Sequence, residues 1–295
     1  MAVRDDTAPR VFEELRPQLF RIAYGILGSV AEAEDVVQDA WLRLDGGDPD
    51  EIESLSAWLR TVVTRLALDA LDSARHRRET YVGEWLPEPL VDELEGGAEE
   101  RAALDEAVAG ALQIVLERLT PAERTSFLLH DTFGMQFAEI AELVGRTPEA
   151  VRQLAARARR NVAAATPRFP VGREEQERLV LAFAVACATG DLEQLLPLLD
   201  PEVVFRSDGG GKVTASQVPV EGADRVARAL VALTRHEVGD EDVPARGRFA
   251  LVNGAPGIVT HNGSVLTVLS FAFDDGRIVA VHAVRNPEKL AHVRV

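Results

Sequence analysis

The chain of 295 residues is long enough for about two domains, each with an ordinary hydrophobic core. Its single cysteine, Cys187, excludes an internal disulfide. Neither an apolar signal core nor a run of about 18 apolar residues is found, which predicts a cytoplasmic protein. The formal net charge of -16 at first argues against a nucleic-acid partner, because phosphates attract clustered lysine and arginine.

The charges are segregated along the chain. Residues 146–168 hold six arginines against one acid, whereas residues 79–106 hold ten acids against one base. A short basic run over residues 75–78 precedes the acidic segment. Each run alone is equally typical of a solvated helix face, but their separation leaves room for a DNA-binding surface in an acidic protein.

Three helices are predicted before the acidic segment. Gly28 ends the first, and Ser29 with Glu32 forms a capping box for the second. The third begins near residue 54 or 56 and runs to about residue 78, with apolar residues at helical spacing.

The segment over residues 81–97 shows neither helical nor strand periodicity. Trp85 and Leu86 are followed by Pro87 and Pro89, and the segment continues into acids and paired glycines, which indicates a linker. An apolar pair directly before two prolines favours docking on another surface, with an ordinary half-buried aromatic as the alternative. A helical pattern resumes over residues 99–119.

The strongest local pattern follows this linker. Thr120, Pro121 and Glu123 supply the start of one helix, and Gly145 ends the next. A further helix begins after a very short turn, which is the layout of a DNA-binding helix-turn-helix, although an ordinary helical hairpin with a basic face is the alternative. The residues predicted to contact DNA here are Thr147, Glu149, Arg152, Gln153, Arg157, Arg159 and Arg160.

Beyond residue 170 the pattern changes to a mixture of helices and strands. Helices are predicted over residues 173–189, 192–199 and 224–234, and strands over residues 203–206, 212–220, 249–252, 265–273 and 278–284. Turns at Asn253-Gly254, Pro256-Gly257, Asn262-Gly263 and Asp275-Gly276 predict an antiparallel meander. The C-terminal part is therefore expected to be an independent α+β domain.

Four motifs in order resemble the extracytoplasmic-function (ECF) sigma factors of bacterial RNA polymerase. They are AEDVVQDAWLRL at residues 33–44, WLRTVVTRLALD at 58–69, LTPAER at 119–124 and ARARR at 156–160. The C-terminal part is similar to SnoaL-like domains, a cone-shaped α+β fold. Three further motifs resemble the subgroup that carries this extension: WLPEP at residues 85–89, DGGGKV at 208–213 and NPEKL at 286–290.

The resemblance implies roles for particular residues. The second helix would dock on the clamp of the largest polymerase subunit, and the third would read the upstream edge of the melted promoter, where a flipped base is held. Many relatives have asparagine in place of Arg65. The implied polymerase contacts are Asp35, Val36, Gln38, Asp39 and Trp41. The implied promoter contacts are Thr64, Arg65 and Asp69, with Arg75, Arg77 and Arg78 on phosphates.

The implied organisation is a region-two helical domain over residues 8–80, an acidic linker over 81–100, a region-four helix-turn-helix domain over 101–166 and the SnoaL-like domain over 173–295. The fold class is thus two all-α domains followed by an α+β cone. The linker would replace the connector that runs through polymerase toward the RNA exit path. No catalytic residue, cofactor or metal is expected. Control in cis would make a separate anti-sigma protein unnecessary.

The three subgroup motifs predict regulatory contacts that hold the C-terminal domain against the helical part near the linker. The triple glycine between residues 209 and 211 favours close backbone approach, with a flexible hairpin as the alternative. The predicted regulatory residues are Trp85, Leu86, Pro87, Asp208, Gly209, Gly210, Gly211, Lys212, Asn286, Pro287 and Lys289.

Two other functions remain open at this point. The C-terminal domain would be an enzyme or a small-molecule receptor if Asp208, His261, His282 and Arg285 met in a pocket. A simple promoter-binding repressor would need the helix-turn-helix but not the polymerase-binding helix.

Overall fold

The computed structural model describes residues 7–47, 52–79, 81–92, 119–165, 171–237, 246–261 and 265–294. The chain forms two compact units. The first contains the described helices up to residue 79 and those between residues 121 and 165, and the second contains residues 81–92 and the part after residue 171.

Three helices open the first unit: α1 (Thr7–Leu27), α2 (Val30–Asp45) and α3 (Leu55–Glu79). Gly28 adopts the left-handed conformation with φ of 69°, which explains why α1 ends there. The Ser29 hydroxyl then accepts a hydrogen bond from the Glu32 backbone N–H at 3.3 Å and starts α2. The three predicted helices are confirmed.

The second half of this unit contains α4 (Pro121–Phe127), which continues into a π-helical turn (Leu128–Thr132), then α5 (Phe137–Val144) and α6 (Pro148–Ala165). Thr120 and Glu123 form the predicted capping box with both reciprocal hydrogen bonds. Gly145 is left-handed with φ of 63°, so the chain turns sharply between α5 and α6. The helix expected over residues 99–119 lies outside the described residues, apart from its last residue.

The second unit combines a mixed sheet with α7 (Arg173–Thr189), α8 (Leu192–Leu195, followed by a 3-10 turn at Leu196–Leu198) and α9 (Ala223–Glu237). Its strands are β1 (Val91–Asp92), β2 (Leu199–Asp208), β3 (Val220–Glu221), β4 (Arg246–Val252), β5 (Ala255–His261), β6 (Leu266–Asp274) and β7 (Arg277–Val284). The spatial order is β1-β4-β5-β6-β7-β2-β3, with only the β2–β7 pair parallel among these strands. The predicted α+β class is confirmed.

The sheet has two buried faces because neighbouring residues in a strand point to opposite sides. One face packs against α7 and α9 through residues such as Phe183, Phe271 and Val281. The other face packs against the linker and the C-terminal tail, and its core consists of Leu86, Ala250, Val252, Val259, Val268, Val284, Leu290 and Val293. The linker is therefore part of the core of the second unit.

Three local predictions were wrong. Pro256-Gly257 lies inside β5 instead of forming a turn, because a Cβ at residue 257 would come within 2.5 Å of Val252 Cγ2 and glycine lets the strands approach. Most of residues 212–220 is loop, with β3 at its end. The linker contains a strand, since β1 pairs with β4.

Candidate functional sites

The helix-turn-helix presents α6 as its basic face. One side of α6 is buried, and the opposite side is open to a partner. The buried residues are Val151, Ala155 and Ala158. The predicted contact residues on that side are exposed, except for the half-buried Arg159: Thr147, Glu149, Arg152, Gln153, Arg157 and Arg160. Thr147 also caps α6 by accepting a hydrogen bond from the Ala150 N–H at 3.2 Å.

Acidic residues position part of this arginine face. Arg159 donates to Asp131 at 2.6 Å, and Arg157 lies 3.3 Å from the Glu123 carboxylate. Both acids belong to the helix and π-helical turn before α5. Since Arg160 makes no ion pair within the described part of the chain, its charge is available to a phosphate.

The α2 helix presents a polar face next to an exposed leucine. Asp35, Gln38 and Asp39 are exposed, and Leu42 beside them is 58% exposed. Val36 is buried in the core and is not available as a direct polymerase contact, which corrects that prediction. Trp41 is half-buried and packs on Phe12, with ring centroids 4.9 Å apart.

The promoter-reading positions on α3 have different environments. Arg65 and Asp69 are exposed, but Thr64 is fully buried, so it does not reach a base in this arrangement and that prediction needs correction. Arg65 lines a cleft of about 350 Å³ whose opposite wall includes Gln136 and Glu139 of the helix-turn-helix. Arg75, Arg77 and Arg78 lie on α3, but their side chains are outside the described part of the structure.

The linker is held to the second unit by its backbone. Leu86 donates its N–H to the Asp208 carboxylate at 2.8 Å, and its carbonyl accepts a hydrogen bond from the Lys289 ammonium. Leu90 exchanges two hydrogen bonds of 2.7 Å with Asn253, just before β1 joins the sheet. His292 makes a further hydrogen bond of 2.8 Å to the Pro89 carbonyl. We call this set of contacts the linker clamp.

A buried ion pair lies at the centre of the linker clamp. The Lys289 ammonium is 2.7 Å from the Asp208 carboxylate, whose side chain is 0% exposed. The same ammonium lies 3.8 Å from the centre of the Trp85 ring and 5.0 Å from that of Tyr81. Buried charges of this kind are tolerated only when they are paired and hydrogen-bonded, and here linker groups complete the pairing.

Tyr81 extends the clamp to the start of the linker. Its hydroxyl donates to Asp208 at 2.5 Å and accepts from the Asn286 amide at 2.8 Å. Burial, followed by the hydrogen bond to Asp208, raises the pKa of Tyr81 above its ordinary value, so the phenol stays neutral and remains a donor.

The three glycines after Asp208 let the backbone of this loop pack closely against the linker and against Asn286. Gly210 and Gly211 are left-handed, with φ of 59° and 70°. A Cβ at Gly210 would collide with the Asn286 amide, and one at Gly211 would lie 3.1 Å from Val82 of the linker. Close approach, not a merely flexible hairpin, explains the glycines here.

The remaining motif residues are peripheral or packed. Trp85 is half-buried under Lys289, Pro87 is buried, and Pro287 is exposed. Lys212 pairs with the exposed Glu288 at the surface. The structure thus brings together Leu86, Asp208, Asn286 and Lys289, and leaves Pro287 outside the contacts.

Comparison with known proteins identifies the two helical parts. Residues 11–77 match Sigma-70 region 2, and residues 109–162 match Sigma-70 region 4. The chain is 40% identical over 290 residues to the ECF RNA polymerase sigma factor SigJ of Mycobacterium tuberculosis, covering 94% of this chain and 91% of that protein. The chain belongs to the ECF family of RNA polymerase sigma factors.

Two further comparisons extend over the whole sigma factor. The probable ECF sigma factor SigI of Mycobacterium tuberculosis is 34% identical over 289 residues, covering 95% of this chain and 93% of that protein. The crystal structure of Mycobacterium tuberculosis SigJ superposes with a TM-score of 0.76 at 36% identity, covering 96% of this chain and 98% of that one. The likeness therefore includes the C-terminal domain as well as regions two and four.

Membership of this family implies binding to core RNA polymerase and promoter DNA. None of the described helices of the sigma factor is long and apolar enough to cross a membrane. Within the described residues, no group of three or more histidine, cysteine or acidic side chains is placed to hold a metal ion.

In this sigma factor, the polar side chains considered for catalysis have different described environments. Asp208 is engaged in the linker clamp, and the Arg285 guanidinium donates to the Thr267 hydroxyl at 3.3 Å and to the Thr214 carbonyl. His282 is buried, whereas His261 is half-buried at the end of β5.

Sequence reasoning missed three residues of the linker clamp. Tyr81, Asn253 and His292 lie outside the quoted motifs, yet each hydrogen-bonds a clamp residue. The sequence predicts only a turn at Asn253, and this residue does form one with φ of 51°. No local pattern indicates a hydrogen-bond partner that lies between 127 and 203 positions away.

Proposed function

We propose that this sigma factor is regulated in cis by its C-terminal domain, which holds the linker between region two and region four. The linker clamp carries this proposal. The clamp fixes Leu86 through both backbone polar groups and buries its side chain to 2% exposure. Such contacts make the linker an integral part of the domain instead of a passive tether.

The linker clamp competes with a second position of the linker, inside RNA polymerase. In the sigma factors that the chain resembles, the connector runs through polymerase toward the RNA exit path. Residues 81–92 do not follow that path while they are paired with β4 and with Asp208. The balance between the clamped and threaded linker is the proposed control, because a contact present equally in both states would shift nothing.

The other finer assignments belong to the same proposal. The exposed residues Asp35, Gln38 and Asp39 contact the clamp of the largest polymerase subunit. Arg65 and Asp69 on α3 read the melted promoter, and the basic face of α6 reads the more distant element. A domain that restrains its own linker needs no separate anti-sigma protein, and the factor acts in the cytoplasm where polymerase and promoters are.

Run-off transcription with purified core polymerase tests the proposal. We compare the full chain, a chain ending before Asn286 and a chain lacking residues 173–295 at equal concentrations. We expect the full deletion to impair transcription, because the linker loses the surface that orders it. We expect the tail truncation to raise transcription or alter it, because the truncation removes Lys289 and Asn286 from the clamp.

A point variant separates the clamp from general damage by truncation. Lys289→Met removes the buried charge, whereas Arg228→Met removes an exposed charge that pairs with Asp224 on α9. We expect Lys289→Met to change run-off yield and Arg228→Met to leave it at the level of the full chain. Equal transcription by all of these proteins contradicts regulation in cis.

A further inference from the structure

An apolar cavity of about 350 Å³ lies in the second unit on the sheet face opposite the linker clamp. It opens to the surface and is lined by residues of α7, α9 and strands β4 to β6. A volume of this size is at the lower end of the range for small-molecule sites. The cavity is not part of the clamp, since the clamp packs on the other face through residues such as Val268.

The lining of the cavity defines the chemistry that it accepts. Among the described residues that line it, none has a charged side chain, and the polar side-chain groups are one thiol and the hydroxyls of Thr234, Thr260 and Thr267. Burial raises the pKa of the Cys187 thiol to about 12, so the thiol is neutral as well. An ionic ligand would lose its hydration here without gaining a charged partner from the described lining, which is unfavourable.

The mouth of the cavity exposes large apolar side chains. Leu181 is 51% exposed, Val185 48% and Phe249 41%, and all three line the cavity. Exposed side chains of this kind around a concave apolar space are typical of ligand entrances. We propose that the cavity binds a small, neutral, mainly apolar molecule that carries at most a few hydrogen-bonding groups.

The cavity is also connected to the linker clamp by hydrogen bonds. The Thr267 hydroxyl in the cavity wall accepts from Arg285 Nε at 3.3 Å. The backbone N–H groups of Arg285 and Asn286 both donate to the Asp208 carbonyl, at 2.8 and 2.9 Å. A ligand in the cavity is therefore expected to change the position of Asp208, which holds Leu86. This regulatory part of the inference rests on the proposed function.

A matched pair of fluorescent compounds tests, with the full chain, whether the cavity binds a neutral apolar molecule. N-phenyl-1-naphthylamine is neutral, and 1-anilinonaphthalene-8-sulfonate has the same rings with an added sulfonate. We expect saturable binding of the neutral compound and at least about tenfold weaker binding of the sulfonate, equivalent to about 1.4 kcal/mol. Absence of saturable binding, or equal affinity for the two compounds, overturns the inference without touching the proposed function.

Cavity-filling variants locate the binding site. A Cβ at Gly247 would make only ordinary contacts, 3.6 Å from Thr260 Cγ2, so Gly247→Leu fills the cavity without a backbone clash. Ala184→Leu fills it from α7 as an independent second variant. We expect each to weaken binding at least about tenfold with an unchanged circular dichroism spectrum, whereas Val218→Ser, at an exposed position outside the cavity, retains full affinity.

Two further readouts decide between occupants and test the coupling. Sedimentation that shows a dimer lost in Phe249→Ser would assign the exposed apolar face to a second copy of the chain and overturn the small-molecule site. Hydrogen exchange at the Leu86 amide is expected to change at least about threefold when the neutral compound is bound. Binding with unchanged Leu86 exchange refutes the coupling, while the run-off comparison still tests the clamp itself.

Discussion

Replacement of Lys289 by methionine should release the linker from the second unit. Lys289→Met keeps the length of the side chain but leaves the Asp208 carboxylate, which is 0% exposed, without its ammonium partner. Removing one partner from a buried ion pair costs about 3–5 kcal/mol, and the contact with the Trp85 ring at 3.8 Å is lost as well. Much of this loss falls on the linker, because Leu86 and Tyr81 share the same carboxylate.

Hydrogen exchange followed by mass spectrometry of the peptide over residues 81–92 measures the release. A loss of about 3–5 kcal/mol in the free energy of local opening accelerates exchange of the Leu86 amide by roughly 150- to 5,000-fold. The double variant Asp208→Asn with Lys289→Met removes both charges and keeps an acceptor for Leu86. It should therefore recover at least part of the protection.

The comparison between the single and double variants shows whether the unpaired charge of Asp208 causes release of the linker. Exchange at Leu86 that rises less than about tenfold in Lys289→Met would show that the ion pair does not hold the linker. A double variant as unprotected as the single one would show that the unpaired charge is not the cause. Urea unfolding of both proteins distinguishes local opening of the linker from global destabilisation.

Three other predictions concern separate parts of the molecule. Asp35→Arg with Asp39→Arg should weaken binding to core polymerase in a pull-down without loss of helicity, because both side chains are exposed; unchanged binding rejects the docking face. Arg152→Ala should cost about 1–3 kcal/mol and relax sequence preference, whereas Arg160→Ala should weaken matched and scrambled promoters alike and flatten the salt dependence. Equal behaviour of the two arginine variants on both promoters in fluorescence anisotropy rejects base reading by Arg152. Cys187, with its pKa raised to about 12 from 9.0 by burial, should be alkylated by iodoacetamide at pH 8 roughly a thousandfold more slowly in the folded than in the urea-unfolded chain, and equal rates would contradict this.

Local signals predicted most helices because their ends are determined by neighbouring residues. The capping box at Thr120 and the left-handed Gly145 lie within a few positions of the groups that they serve. The same local reasoning failed at Pro256-Gly257, where the requirement for glycine comes from Val252 on β4 and the Leu269 carbonyl on β6. A tight turn and a close approach of two strands both require glycine, so the sequence alone does not distinguish between them.

The functional surfaces that depend on neighbouring residues were predictable from the sequence, whereas those that depend on distant contacts were not. The exposed face of α6 follows from helical periodicity, and its arginines lie where the spacing placed them. Burial of Thr64 and Val36 depends on how whole helices pack, which periodicity does not determine. The linker clamp could be named only from motifs, because its hydrogen bonds join positions 122 and 203 residues apart.

The covalent continuity of the linker clamp determines how it responds to protein concentration. Leu86 and Lys289 belong to one chain, so their association is intramolecular and its effective concentration depends only on the intervening polypeptide. A separate inhibitor would be diluted or outnumbered when the sigma factor is overproduced. Under the proposed regulation in cis, every new molecule carries its own restraint in a fixed one-to-one ratio, so abundance alone does not release it. Release requires something that binds the open linker or the second unit more tightly than they bind each other.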